Sequence, residues 1–133
     1  MIPDFDIHGY LPPGTHIASF DELIARFGQT PDIRRAEAQS LAWLLPLCRD
    51  AGIARLVING SFVTSRLEPN DVDCLLLQGP NYRSDSPGAA ELRQGLPFLE
   101  IKIVAQDDFD FFCHAIFATD RDMIPKGVVE VPL

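Results

Sequence analysis

Basic residues are scarce in this sequence. It carries 11 Lys and Arg against 19 Asp and Glu, a formal charge of −8. A surface that grips a nucleic-acid backbone needs clustered cations, so the balance excludes a large nonspecific nucleic-acid surface. A single nucleotide stays open, because one bound divalent ion reverses the local sign. Cysteine is sparse too. Cys48, Cys74 and Cys113 are isolated, odd in number, set in apolar contexts and without metal-ligand spacing. They read as buried free thiols of a reducing compartment. No apolar run reaches the roughly 18 residues of a membrane span, so no membrane partner is expected. The opening "MIPDFDIHGYLPPGTH" lacks the basic and apolar regions of a signal peptide. A cytoplasmic protein is expected. There is no internal repeat and no low-complexity segment.

What is present is globular. With 47% hydrophobic residues in 133, one compact domain over residues 1–133 with a small core is expected. Residues 1–18, with Pro3, Pro12, Pro13 and Gly14, read as an extended, turn-rich lead-in. "SFDE" is a capping box in which Ser19 caps and Glu22 reaches back, predicting a short helix to Phe27 stopped by Gly28. "TPDIRRAEAQSLAWLLPLCRDAG" predicts the main helix, with Thr30 as N-cap, Pro31 at the first helical position, a kink or stop at Pro46 and an end at Gly52. "ARLVING", "VDCLLLQG" and "LPFLEIKIVAQ" read as strands, with a polar connection holding one short helix after Pro87. "DDFDFFCHAIFATD" has the helical spacing Phe109, Phe112, Cys113, Ile116, Phe117. "KGVVEV" adds a last strand. The expected fold class is a small α/β or α+β sandwich.

The chemistry concentrates in "NGSFVTSRLEPNDVDCLLL". Side chains alternate along a strand, so Asp71 and Asp73 share one face, with Cβ atoms about 6.5–7 Å apart. From Cys74 to Leu77 every residue is apolar, as in a strand covered on both faces. Two carboxylates at the tip of such a strand repel each other and lose hydration. A divalent cation removes that cost, and Mg²⁺ suits it, preferring carboxylate and phosphate oxygens. Gly60 permits a tight turn after the preceding strand, and Ser61 with the next free N–H groups can receive a phosphate. A solvated turn after "EPN" is the plain alternative for the two aspartates.

Gly-Ser, a short gap, then Asp-x-Asp inside an apolar strand resembles the signature of polymerase-β-like nucleotidyltransferases. More narrowly, "LPPGTH", "NGSFVTSRLEPNDVDCLLL" and "DRDMIPKGVVEV" look like a bacterial family of small uncharacterised nucleotidyltransferase-like proteins. The broad signature covers residues 55–104 and the narrow resemblance most of the chain. It implies a minimal nucleotidyltransferase fold, a small mixed sheet with helices mainly on one face. It implies transfer of a nucleoside monophosphate from a triphosphate to an acceptor, with two Mg²⁺ ions, or Mn²⁺ in their place. Carried over, Gly60 and Ser61 match the phosphate turn, Asp71 and Asp73 the metal pair, and Glu100 in "PFLEIKIV" the third carboxylate. Arg66 follows as a phosphate contact, against a plain reading as a solvated charge. The acceptor stays unidentified: a protein, an RNA end or a small molecule. Minimal members of the superfamily often belong to toxin–antitoxin or defence pairs, which implies a partner protein.

Two departures stand out. Lys102 lies two residues from Glu100 on the same face and can pair with it instead of a metal. Asn59 replaces the usual apolar residue before the glycine. The rival function is therefore a non-catalytic module of the same fold that binds a nucleotide or a protein. His8, His16 and His114 show no ligand spacing, and Arg34, Arg35, Arg121 and Lys126 read as solvated charges, with contact to an acceptor as the alternative. The Phe109, Phe112 and Phe117 stripe reads as core.

Overall fold

The computed structural model describes residues 2–133. In chain order the elements are β1 (Gly14–Ile17), α1 (Phe20–Phe27), α2 (Asp32–Ala51), β2 (Ile53–Asn59), β3 (Val72–Gln78), α3 (Pro87–Gln94), β4 (Leu99–Val104), α4 (Gln106–Phe111) and β5 (Gly127–Val131). The strands form one mixed sheet in the order β1-β5-β2-β3-β4. β2 runs antiparallel to both β3 and β5, while β4 is parallel to β3 and β1 parallel to β5. The α/β expectation is met.

Alternation along the strands builds two cores. Leu56, Ile58, Val72, Cys74, Leu76, Val129 and Val131 face α1, α2 and α3. Val57, Leu75, Leu77 and Val128 face Phe109 of α4 and Phe117 beyond it. Period-2 patterning dictates this division, and burial of both faces explains the unbroken apolar run of β3. Cys48 and Cys74 are buried free thiols and Cys113 is partly buried. No helix among the described residues is long and apolar enough to cross a membrane.

Local signals held in part. The Ser19–Glu22 capping box is formed, with Glu22 N–H donating to Ser19 Oγ at 3.1 Å. Gly52 stops α2 in the left-handed region, at φ 76°. Thr30 does not cap α2. The helix starts at Asp32, because Pro31 is extended (φ −71°, ψ −177°) and no side chain caps the first turn. α2 runs on through Pro46, held on both sides of it by the buried Leu44, Leu45, Cys48 and Ala51. The lead-in contains a strand the sequence hid: "GTHI" has no alternating pattern, and only its pairing with β5 makes it β1. The Phe-rich helix changes pitch after Phe111 into a π-helical turn, Phe112–Ile116. On a regular α-helix, residues eight apart sit about 80° out of line. The wider turn brings Phe117 back beside Phe109 in the second core.

Candidate functional site

The Gly-Ser turn is built where β2 ends. Residues Gly60–Val63 form a 3₁₀ turn with Phe62 and Val63 buried beneath it. Gly60 is needed for two reasons. Its φ is +80°, and a Cβ there would lie 2.2 Å from Asp73 Oδ2. The missing side chain is therefore the space that the Asp73 carboxylate fills.

The turn is held from below by Arg34 of α2, only 5% exposed. Its guanidinium donates to Phe27 O at 3.0 Å, Phe62 O at 2.7 Å and Thr64 O at 3.0 Å, and also to Arg66 O. The reading of Arg34 as a solvated charge is corrected: a loop that joins no sheet leaves carbonyls to be satisfied, and the five-donor fork supplies them. Thr64 Oγ1 adds a bond to Ser61 O at 2.7 Å and accepts from Arg66 N–H at 3.2 Å.

Glu37, one turn along α2, is fully buried, and neither of its oxygens has a hydrogen-bond partner among the described residues. Burial pushes its carboxyl up to about 7, Arg34 opposing the rise and Asp71 adding to it. A folded-state value above the unfolded one favours folding most at low pH, and that contribution is lost as pH rises through about 7. Glu37→Gln should therefore flatten the loss and gain on the order of 2 kcal/mol at pH 8.5 relative to pH 5. Urea unfolding of both proteins at the two pH values checks it; parallel pH profiles would refute the assignment.

The carboxylates separate. Asp73 lies opposite Asn59 of β2 and opposite Glu100 of β4. Asp73 and Glu100 therefore stand side by side on neighbouring parallel strands. Burial, then a hydrogen bond that the Asp73 carboxyl donates to Glu100, pushes Asp73 up to about 6. Glu100 is held below its usual range, first by Lys102 and then by Asp73. Lys102 Nζ is 2.9 Å from Glu100 Oε1, so the predicted ion pair exists alongside the carboxyl pair. Asp71 is exposed and stands one residue before β3. It is not in the cavity wall that holds Asp73. Asn59 is 2% exposed and its Oδ1 has no hydrogen-bond partner among the described residues.

A cavity of about 780 Å³ opens over the turn, walled by Tyr10, Gly60, Ser61, Thr64, Ser65, Arg66, Asp73, Asp120, Arg121 and Lys126 among others. Tyr10 O–H donates to Asp120 Oδ2 at 2.7 Å, and Asp120 Oδ1 accepts from Ile124 N–H at 3.0 Å. Ser65 N–H donates to Gly9 O at 2.9 Å, tying the lead-in to the turn. Lys126 is half-buried; desolvation lowers its pKa while Asp73 and Asp120 oppose the fall. The acidic chain thus gathers Arg66, Arg121 and Lys126 around one hollow.

A family model matches residues 3–132 of the chain. The chain belongs to DUF6932, a family of unknown function. No curated protein and no solved structure matches it. In this DUF6932 chain the sequence-predicted residues Gly60, Ser61, Arg66 and Asp73 converge on one cavity, and Glu100 joins Asp73 from the next strand. No group of three or more metal-ligating side chains gathers among the described residues. Tyr10 and Asp120 have no local signal, because they lie far along the chain from the turn, and Lys126, read as a solvated charge, is instead half-buried in the cavity wall. "DRDMIPKG" carries no local signal that it shares a cavity wall with Ser61.

Proposed function

We propose that the cavity binds a nucleoside triphosphate with Mg²⁺ and that the protein is a nucleotidyltransferase: the acceptor hydroxyl, losing its proton, takes the nucleoside monophosphate as the α–β phosphoanhydride bond breaks and pyrophosphate leaves. The observation that supports this most is the seat of Asp73 against Gly60, which sets a carboxylate beside the phosphate-accepting turn. Ser61 and the turn N–H groups receive phosphate oxygens. Arg66 and Arg121 offset the charge of the triphosphate at the cavity wall.

The metal's fit rests on the donor set. Asp73 and Glu100 are like charges in lateral register, a repulsion that a hard cation relieves. Two carboxylates suit Mg²⁺ or Mn²⁺, which complete their shells with water and substrate phosphate. When bound, the ion would supply charge neutralisation at the transferring phosphate. Asp71, outside the wall, is a lesser contributor.

Incubation with labelled triphosphates and Mg²⁺, with and without cell extract, should transfer label. Asp73→Asn should lower transfer by about 100-fold or more, and Asp71→Asn should cost less. Transfer that survives Asp73→Asn would defeat the proposal. The Glu100–Lys102 ion pair favours a second reading, a nucleotide-binding module without transfer. It would give a melting-temperature rise with triphosphate and Mg²⁺ but no labelled product.

A further inference from the structure

The two edges of the sheet are unlike. β1 is only four residues long and follows Pro12 and Pro13, devices that blunt an edge. β4 is six residues long, has neither proline nor bulge within it, and no strand among the described residues pairs with its outer side. Its residues Leu99, Ile101, Ile103 and Val104 are only partly buried, and Phe98 at its start is 41% exposed. An edge of this kind is a template for another strand.

The sequence of that edge, "FLEIKIV" over residues 98–104, is complementary to itself when reversed. We propose that two copies of the chain pair antiparallel through β4, with the two-fold axis at Ile101, extending the sheet across both copies. In that register Glu100 lies opposite Lys102 of the second copy, and the reciprocal pair repeats across the axis. Leu99 lies opposite Ile103 of the second copy, Ile101 faces its own equivalent, and Phe98 comes beside Val104 of the second copy. Every cross-strand pair is apolar with apolar or acid with base, the arrangements that stabilise a ladder.

The adjacent registers fail. An axis at Glu100 sets two carboxylates face to face, and an axis at Lys102 does the same with two ammonium groups. A slip by one residue turns the charged face against the apolar one. Glu100 and Lys102 side chains are 56% and 39% exposed, so both can be reached by a second copy. Two-fold symmetry doubles each favourable or unfavourable pair.

The test is the mass of the purified full-length chain by sedimentation equilibrium across a concentration series, with circular dichroism to confirm folding. The wild type should dimerise. Lys102→Glu sets like charges opposite one another twice, and Glu100→Lys does the same with the opposite sign. Each should raise the dimer dissociation constant by at least about tenfold. The double variant Glu100→Lys with Lys102→Glu restores both pairs and should restore the dimer. A monomer at every concentration overturns the proposal. So does a dimer indifferent to the single reversals, or a double variant that stays as weak as either single one. None of these outcomes depends on whether the cavity binds a nucleotide.

Discussion

Arg34→Met should destabilise the protein by about 3–5 kcal/mol, the range for removing one member of a buried polar network. The guanidinium satisfies carbonyls at Phe27, Phe62, Thr64 and Arg66 simultaneously. Methionine keeps the unbranched apolar stem but loses the guanidinium and has no donor to offer. The four carbonyls then lose their partners inside the fold, and each unmet group costs on the order of 1 kcal/mol or more. A second effect comes from Glu37. Arg34 is the neighbour that favours its ionised form, so the variant keeps Glu37 protonated to a higher pH. Lysine should rescue only part of the loss, because a single ammonium cannot span the carbonyls that the planar fork reaches. Urea unfolding measures the stability. Triphosphate binding to the still-folded fraction measures whether the Ser61–Arg66 turn keeps its shape. A loss below about 1 kcal/mol would mean that water satisfies the turn without Arg34.

What the sequence revealed follows from the range of the forces involved. Alternation within β3 and the glycine after β2 are local, so "NGSFVTSRLEPNDVDCLLL" was enough to place Gly60, Ser61 and Asp73 together. Asp71 was assigned to the same strand face on the same rule, but β3 begins at Val72. Once outside the ladder a residue is no longer bound to the two-residue period, and Asp71 turned out exposed. Glu100 was set on the strand next to Asp73, and the parallel register puts the two directly opposite. The expected choice between metal ligand and ion pair was too sharp, since Glu100 meets Asp73 and Lys102 together.

The misses are long-range. Arg34 and Phe62 are 28 positions apart in sequence, and Tyr10 and Asp120 are 110 apart. No periodicity connects such pairs; only the closed fold does. A buried arginine also has no signature of its own, because its sequence context, "DIRRAEAQ", fits an exposed helical face equally well. The same limit hid β1, whose paired strand, β5, lies at the other end of the chain.

Gly60→Ala should separate stability from function more cleanly than any change at the carboxylates. The alanine inherits φ +80°, which costs an L-residue about 1–2 kcal/mol. Its Cβ also needs the place of Asp73 Oδ2, 2.2 Å away. That atom is the free end of a side chain, so the backbone need not move; the carboxylate swings away instead. Stability should therefore fall by only about 2 kcal/mol, with the fold intact by circular dichroism. Affinity for the Mg²⁺-loaded triphosphate should drop by at least about tenfold, because the phosphate turn and the carboxylate no longer meet. An Asp73→Ala background supplies the control. There the clash is gone, and adding Gly60→Ala should cost only the dihedral term, leaving a coupling of about 1 kcal/mol between the two positions. Equal costs in the two backgrounds would show that the glycine serves the turn alone. The contact between Gly60 and Asp73 would then lose its standing as the junction of the site, and the nucleotide proposal would lose its main support.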